Sequence, residues 1–113
     1  MQIFQFEQAT GQEITLFGSE GFVLSRLARP SAQAVVSVAH LLPNSVIGRH
    51  QAIGDQLFLV VWGAGSVSGE AGEEVPIIAG QAVLWGDGEW HETRTVGGLT
   101  AVIIEAPTIN LAE

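Results

Sequence analysis

The chain of 113 residues contains no cysteine and no tyrosine, and its four basic residues are all arginine. The absence of cysteine excludes disulfides and thiol nucleophiles, and the absence of lysine excludes Schiff-base chemistry. Without tyrosine there is no phenol to act as a catalytic acid. Any chemistry must therefore use His, Asp, Glu, Ser or Thr, or depend on a bound cofactor.

Positive charge is also scarce. The four arginines, Arg26, Arg29, Arg49 and Arg94, are scattered along the chain, and the formal net charge is -8. Such a protein repels phosphate backbones, because nucleic-acid binding needs clustered basic side chains. The composition predicts no nucleic-acid partner.

Long apolar segments are missing as well. The longest apolar run covers residues 57–62, which is far too short to cross a bilayer. The residues after Met1 include neither a basic start nor an extended apolar stretch, so no signal peptide is visible. We expect a cytoplasmic protein with no membrane partner.

The chain is short enough to form one domain over residues 1–113, with 47% hydrophobic and 14% charged residues. Short β-favouring runs alternate with turn-forming clusters such as Pro43-Asn44-Ser45 and Gly63-Ala64-Gly65. No window has a sustained helical period. The runs are 13–17, 22–29, 33–42, 56–62, 66–68, 75–78, 81–85, 90–95 and 99–105. This spacing predicts an all-β sandwich or barrel.

Two segments carry histidines in a distinctive context. In residues 80–91, Gly80 precedes a strand signal, a Gly86-Asp87-Gly88 turn and then His91. In residues 48–56, Gly48 precedes His50, and the segment ends at Gln56 just before the strongest apolar run. We call residues 48–56 the first histidine segment and residues 80–91 the second.

This layout resembles the cupin family, whose two motifs deliver metal ligands to one mouth of a small barrel. The resemblance implies an all-β, single-domain cupin-type β-barrel, a double-stranded β-helix or jelly-roll. The barrel would cover about residues 30–107, with N-terminal strands in residues 1–29. The second segment follows the family spacing, but the first departs from it. Ala52 stands where the family has a second histidine, and Gln56 where it has glutamate.

A metal site is the first expectation from this resemblance. His50, His91 and Gln56 would hold a divalent ion, Fe, Mn, Ni or Zn, since neutral imidazoles suit these metals. Glu89 would restore the lost charge if it points inward beside His91. The competing interpretation of Glu89 is a solvated carboxylate in the turn.

Strand alternation places Phe58 and Trp62 on the same face as Gln56. With Trp85, these aromatic side chains would form a pocket for an apolar or aromatic molecule. His40 matches no motif and is expected to be structural. Arg49 and Glu92 are expected at the surface.

Two functions remain open at this point. One is a metal-dependent enzyme of the oxygenase or isomerase type acting on a small organic substrate. The other is a metal-poor, non-catalytic barrel that binds a small ligand as a sensor or binding module. The resemblance also implies a homodimer with exchanged N-terminal strands carrying Ile3, Phe4 and Phe6, and apolar Phe17 and Phe22 would extend that surface.

Overall fold

The computed structural model describes Gln2, residues 7–29 and residues 33–111. Short 3-10 turns at Gln8–Thr10 and Leu16–Gly18 flank the first strand. No helix among the described residues is long and apolar enough to span a membrane. The eight strands are β1 (Gln12–Ile14), β2 (Glu20–Ala28), β3 (Val35–Gln51), β4 (Asp55–Ser68), β5 (Glu74–Ile78), β6 (Ala82–Trp85), β7 (Trp90–Thr95) and β8 (Leu99–Ala106).

Four of these strands close into a ring. β3 pairs with both β7 and β8, and β4 pairs with the same two strands, always antiparallel. β2 extends the sheet from β3, and β1 pairs with β2. β5 and β6 pair with different parts of β4. The all-β barrel predicted from the sequence is confirmed.

The two longest strands run through segments that the sequence marks as turns. Asn44 has a positive φ of 59° and Gly63 a φ of 81°, yet β3 and β4 continue past them. Each strand changes partners there, since β3 pairs with β8 before Asn44 and with β7 after it. These residues are bends that carry a strand from one side of the barrel to the other, which is why strand ends were predicted wrongly at these points.

The core occupies the inner face of the ring. Ala39 and Ala101 are register partners and both are fully buried, so two backbones approach closely there. Phe58 is 1% exposed and belongs to the same core cluster. Full burial of one such side chain contributes roughly 1.5–3 kcal/mol. Polar residues interrupt this inner face at Gln56, His91 and Thr93, which are buried too.

The inward position predicted for Trp62 is wrong. The pairing of β4 with β8 shifts register between Val60 and Trp62. Such a bulge breaks the two-residue alternation of a strand. Gln56, Phe58 and Val60 point inward as expected, but Trp62 lies beyond the bulge and is 61% exposed. It therefore belongs to the outer surface.

Candidate functional site

The two histidines of the motif segments face each other across neighbouring strands. His50 on β3 and His91 on β7 are register partners, and their ring centroids are 4.4 Å apart. Between Ile47 and His50 the β3 strand contains one extra residue relative to β7. Without this bulge the residue opposite His91 would be Arg49. The bulge therefore turns Arg49 outward and brings the second imidazole into the barrel.

Both imidazoles have one nitrogen fixed by the backbone. His50 Nδ1 lies 2.7 Å from the carbonyl oxygen of Gly48, and His91 Nδ1 lies 3.1 Å from that of Glu89. A carbonyl oxygen only accepts, so each Nδ1 must carry the hydrogen and donate it. In the neutral rings, Nε2 then holds the free lone pair. The site presents two imidazole acceptors in defined tautomers.

Aromatic rings hold these imidazoles in place. Trp85 stacks on His91 with centroids 4.3 Å apart, and Phe58 packs against Trp85 at 5.7 Å. On the other side, Phe17 lies nearly parallel to His50 at 4.5 Å. Phe17 is 59% exposed and sits in a turn with a positive φ of 61°. The histidine pair is thus packed from behind by Trp85 and covered at the front by Phe17.

The histidines line a cavity of about 190 Å³. Its volume is below the ~300–1,000 Å³ of typical ligand pockets, so it fits only a small molecule. Larger depressions elsewhere on the surface are more open and contain no histidine. Apolar side chains form most of the cavity wall: Ile14, Leu16, Phe17, Phe22, Leu24, Ile47, Phe58 and Ile103. The polar lining is Arg26, His50, Gln56, His91, Thr93 and Glu105.

Glu105 is a site residue that the motif comparison missed. It lies near the end of β8, directly opposite Gln56 on β4. Burial raises the pKa of Glu105, and the charge of His50 and a hydrogen bond from the Gln56 side chain act against that rise. The signal in the sequence was alternation, because Glu105 shares the inward face of its strand with Ala101 and Ile103.

His91 is the more deeply buried imidazole, at 3% exposure. Burial lowers the pKa of His91 from 6.5 to about 4, and the positive charges of His50 and Arg49 act in the same direction. Its hydrogen bond to the Glu89 carbonyl opposes this shift only in part. His91 is therefore neutral at physiological pH, and its Nε2 lone pair stays available.

Glu89 lies outside the histidine cavity. Its carboxylate accepts a hydrogen bond from the Gly86 amide at 3.0 Å and faces a different cleft, together with Ser68. The turn needs that acceptor, because the Gly86 N–H has turned away from the strand ladder. The inward orientation expected of Glu89 is thus not the one that the structure has.

The described residues contain no group of three or more His, Cys, Asp or Glu side chains that could hold a metal ion. Ala52 has no donor atom, and Gln56 brings an amide that hydrogen-bonds Glu105. The motif residues alone, two imidazoles and an amide, form a neutral donor set, which holds divalent ions weakly. Among the described residues, Glu105 does not complete a group of three with the two histidines. The residues present do not fit the metal site that the resemblance implies.

Other residues singled out from the sequence have structural contacts. His40 Nε2 lies 3.3 Å from the Ser25 hydroxyl, outside the cavity. Arg49 donates to the carbonyl oxygens of Gly69 and Glu70, at 3.2 and 3.0 Å. Glu92 pairs with Arg94 at 2.7 Å on the outer face.

The N-terminal apolar surface is only partly visible. Ile3, Phe4 and Phe6 lie outside the described residues. Phe22, expected to extend that surface, is instead 7% exposed and belongs to the core. The homodimer stays a prediction.

Comparison with known proteins shows which solved structures share this fold. No family sequence model matches the chain, and no curated protein is significantly similar to it. A cupin 2 conserved barrel domain protein from Salinispora arenicola superposes with a TM-score of 0.75 at 16% identity, covering 94% of this chain and 88% of that one. A predicted oxalate decarboxylase from Thermotoga maritima gives 0.73 at 20% identity, covering 89% and 96%.

The polyketide cyclase RemF from Streptomyces resistomycificus gives a TM-score of 0.75 at 13% identity, covering 99% of this chain and 89% of that one. At such identities the likeness concerns the fold and carries no activity with it. The closed ring of strands and the structural matches agree with what the two histidine segments indicated. The chain is a small all-β domain with the cupin fold.

Proposed function

We propose that the histidine cavity binds a small organic molecule with an apolar body and one polar end, through the protein's own side chains. The observation that carries this proposal is the asymmetry of the cavity. Most of its wall is apolar, while His50, His91, Gln56 and Glu105 supply its polar groups. A few placed polar groups in an apolar cavity are what fixes the orientation of a small ligand.

The alternative is the metal-dependent oxygenase or isomerase predicted first, with Fe, Mn, Ni or Zn on His50 and His91. Its support is the free Nε2 of both rings. Against it stand the missing donor at Ala52 and the neutral amide at Gln56. We therefore place direct ligand binding ahead of resident metal, and the assignment of an enzyme class rests on the ligand that is found. The matching structures include a predicted decarboxylase and a cyclase, so the fold selects no reaction.

The test is an NMR titration that follows the imidazole resonances of His50 and His91. The probes are small aromatic and branched aliphatic acids, alcohols and ketones, added in the presence of EDTA so that no free metal contributes. We expect at least one probe to shift both sets of resonances. If every probe leaves them unchanged without metal, but shifts them after Mn²⁺ or Zn²⁺ is added, the metal-dependent alternative is favoured.

Leu24→Trp provides a structural check on the binding site, because Leu24 lines the cavity and a larger side chain would fill it. Leu57→Trp is the matched control. Leu57 is also half-buried, but it alternates with Gln56 and Phe58 and so lies on the outer face of β4. Ligand shifts should disappear in Leu24→Trp and persist in Leu57→Trp. Equal binding by both variants would place the ligand elsewhere.

A further inference from the structure

We propose that Phe17 sets the size of the molecule that the histidine cavity admits, because its ring closes the front of the cavity over His50. The ligand class that follows has a single polar end and an apolar body no larger than one six-membered ring. This inference rests on the proposed binding function and deepens it, since it adds a size limit and the residue that imposes that limit.

Three apolar residues that precede β2 in the chain form the front wall of the cavity. Ile14 is the last residue of β1, and Leu16 and Phe17 belong to the 3-10 turn that follows it. Leu16 and Phe17 are 63% and 59% exposed, so they lie outside the hydrophobic core. Because these two side chains cover the cavity from the solvent side, removing one of them opens the cavity and leaves the core behind it in place.

The backbone of this turn is fixed in an unusual conformation. Phe17 has a φ of 61° and a ψ of 25°, and Gly18 has a φ of 69°. A bulky residue rarely adopts this left-handed geometry, which persists only where the surroundings impose it. Ser19 Oγ accepts a buried hydrogen bond from the Gly48 amide at 3.0 Å, and the Phe17 carbonyl group lies where a side chain on Gly48 would begin. The turn is therefore docked on the strand that carries His50.

This docking directs the Phe17 ring onto the His50 ring. The two rings are nearly parallel, with an interplanar angle of 5° and centroids 4.5 Å apart. The backbone of the turn is anchored while the Phe17 side chain is largely exposed. The ring can therefore rotate outward to admit a ligand without moving the strand beneath it. When it rests on His50, it limits the space in front of the histidines.

The volume of the cavity defines the size limit. With Phe17 in place the cavity has a volume of about 190 Å³. Since a cavity of about 150 Å³ holds one benzene ring, one ring with a small polar group fits here and two fused rings do not. Phe58 and Thr93 line the rear of the cavity and are 1% and 2% exposed, so that wall is close-packed and yields little. The exposed Phe17 ring is the part of the wall whose removal enlarges the cavity.

The experiment compares a one-ring and a two-ring alcohol that share the same polar end. Benzyl alcohol and 2-naphthalenemethanol each carry one hydroxyl group, which can donate to a free imidazole nitrogen. Their dissociation constants are measured by NMR titration of the His50 and His91 resonances in the presence of EDTA. For the wild type we expect 2-naphthalenemethanol to bind at least about tenfold more weakly than benzyl alcohol, because a single misfitting methylene group already costs about 10–200-fold in a hydrophobic pocket.

Phe17→Gly removes the ring and keeps the turn, because glycine adopts a positive φ freely. We expect this variant to bind 2-naphthalenemethanol at least about tenfold more tightly than the wild type does, and benzyl alcohol more weakly. Phe17→Asn is the second variant, since asparagine also tolerates left-handed geometry, and it should give the same reversal. Trp62→Ser is the matched control. Trp62 is a similarly exposed aromatic residue, at 61%, but it lies on the outer surface, so both wild-type affinities should persist.

The outcomes separate the size limit from the binding function. Weaker binding of both alcohols by both Phe17 variants would make Phe17 a general support of the turn and overturn the size limit. Wild-type protein that binds the two alcohols equally well would also overturn the size limit, while ligand binding stands. If no probe of either size binds to the wild type or to the variants, the binding function is overturned and the size limit with it.

Discussion

The two histidine segments deliver their imidazoles in different ways. In the second segment, His91 follows regular strand geometry and alternates inward with Thr93 and Thr95 on β7. Residues 48–56 need an extra residue in β3 to turn His50 inward. The regular segment gives a buried, neutral ring, and the irregular one gives a half-buried ring under an exposed aromatic side chain. The carboxyl group that lines the cavity comes from neither segment but from Glu105 on β8.

The largest expected effect concerns the buried ring. The pKa of His91 is lowered from 6.5 to about 4, so between these pH values the unfolded chain binds a proton that the folded protein does not. Stability therefore rises with pH across this window and is lost on acidification. A shift of this size corresponds to about 3 kcal/mol. We expect His91→Gln to remove this loss, measured by urea denaturation at pH 7, 5.5 and 4.

The difference between wild type and variant isolates His91. The raised pKa of Glu105 acts in the opposite direction, because it favours the folded state at low pH, and it is present in both proteins. His40→Gln, which changes a histidine outside the cavity, should keep the wild-type loss. An equal acid loss in wild type and His91→Gln would show that burial of this ring does not control acid stability.

Replacing one glycine in each segment compares how closely other atoms pack against the two backbones. A methyl group on Gly48 would collide with the carbonyl group of Phe17, whereas one on Gly86 would meet nothing within 4 Å. Since a backbone carbonyl group can move only if the chain around it shifts, we expect Gly48→Ala to lower stability by about 2 kcal/mol or more. Gly86→Ala should stay within about 0.5 kcal/mol of wild type. Equal losses of stability in urea denaturation would show that the contact between Gly48 and the Phe17 carbonyl group does not limit stability.

The first segment carries an amide at position 56, which attracts a divalent ion less strongly than a carboxylate would. Gln56→Glu keeps the shape of the side chain and adds a carboxylate to the cavity that His50 and His91 line. We expect it to raise the affinity for Mn²⁺ or Zn²⁺ by about tenfold or more, since a carboxylate attracts a dication far more strongly than an amide does. Glu89→Gln should leave wild-type affinity unchanged, because Glu89 accepts from the Gly86 amide. Calorimetric titration measures both, and a large loss in Glu89→Gln would contradict the placement of that carboxylate.

The smallest expected effect lies on the outer surface. Trp62 and Val61 are 61% and 56% exposed, and such apolar patches usually mark an interface. We expect the protein to be a homodimer, and Trp62→Ser to weaken association without changing ligand binding. Light scattering at several concentrations measures this. A monomer at every concentration would end the prediction.

The sequence predicts the barrel and a cavity shared by His50, His91, Gln56 and Phe58. It can do so because turn spacing and alternation are local properties. It failed where a bulge or a distant strand decides the outcome. The alternating pattern predicts an inward Trp62, because the one extra residue after Val60 leaves no mark in that pattern. Glu105 was missed because its position opposite Gln56 depends on the register between β4 and β8, which sequence spacing does not contain.

The most direct test of the central claim is the metal content and ligand response of protein purified without a histidine tag. If the cavity acts through its own side chains, Fe, Mn, Ni and Zn will together amount to well below one ion per chain. Ligand-induced shifts of the His50 and His91 resonances will also be the same before and after EDTA treatment. One tightly held ion per chain, lost in His50→Ala together with ligand binding, would contradict this account and establish the metal-dependent barrel instead.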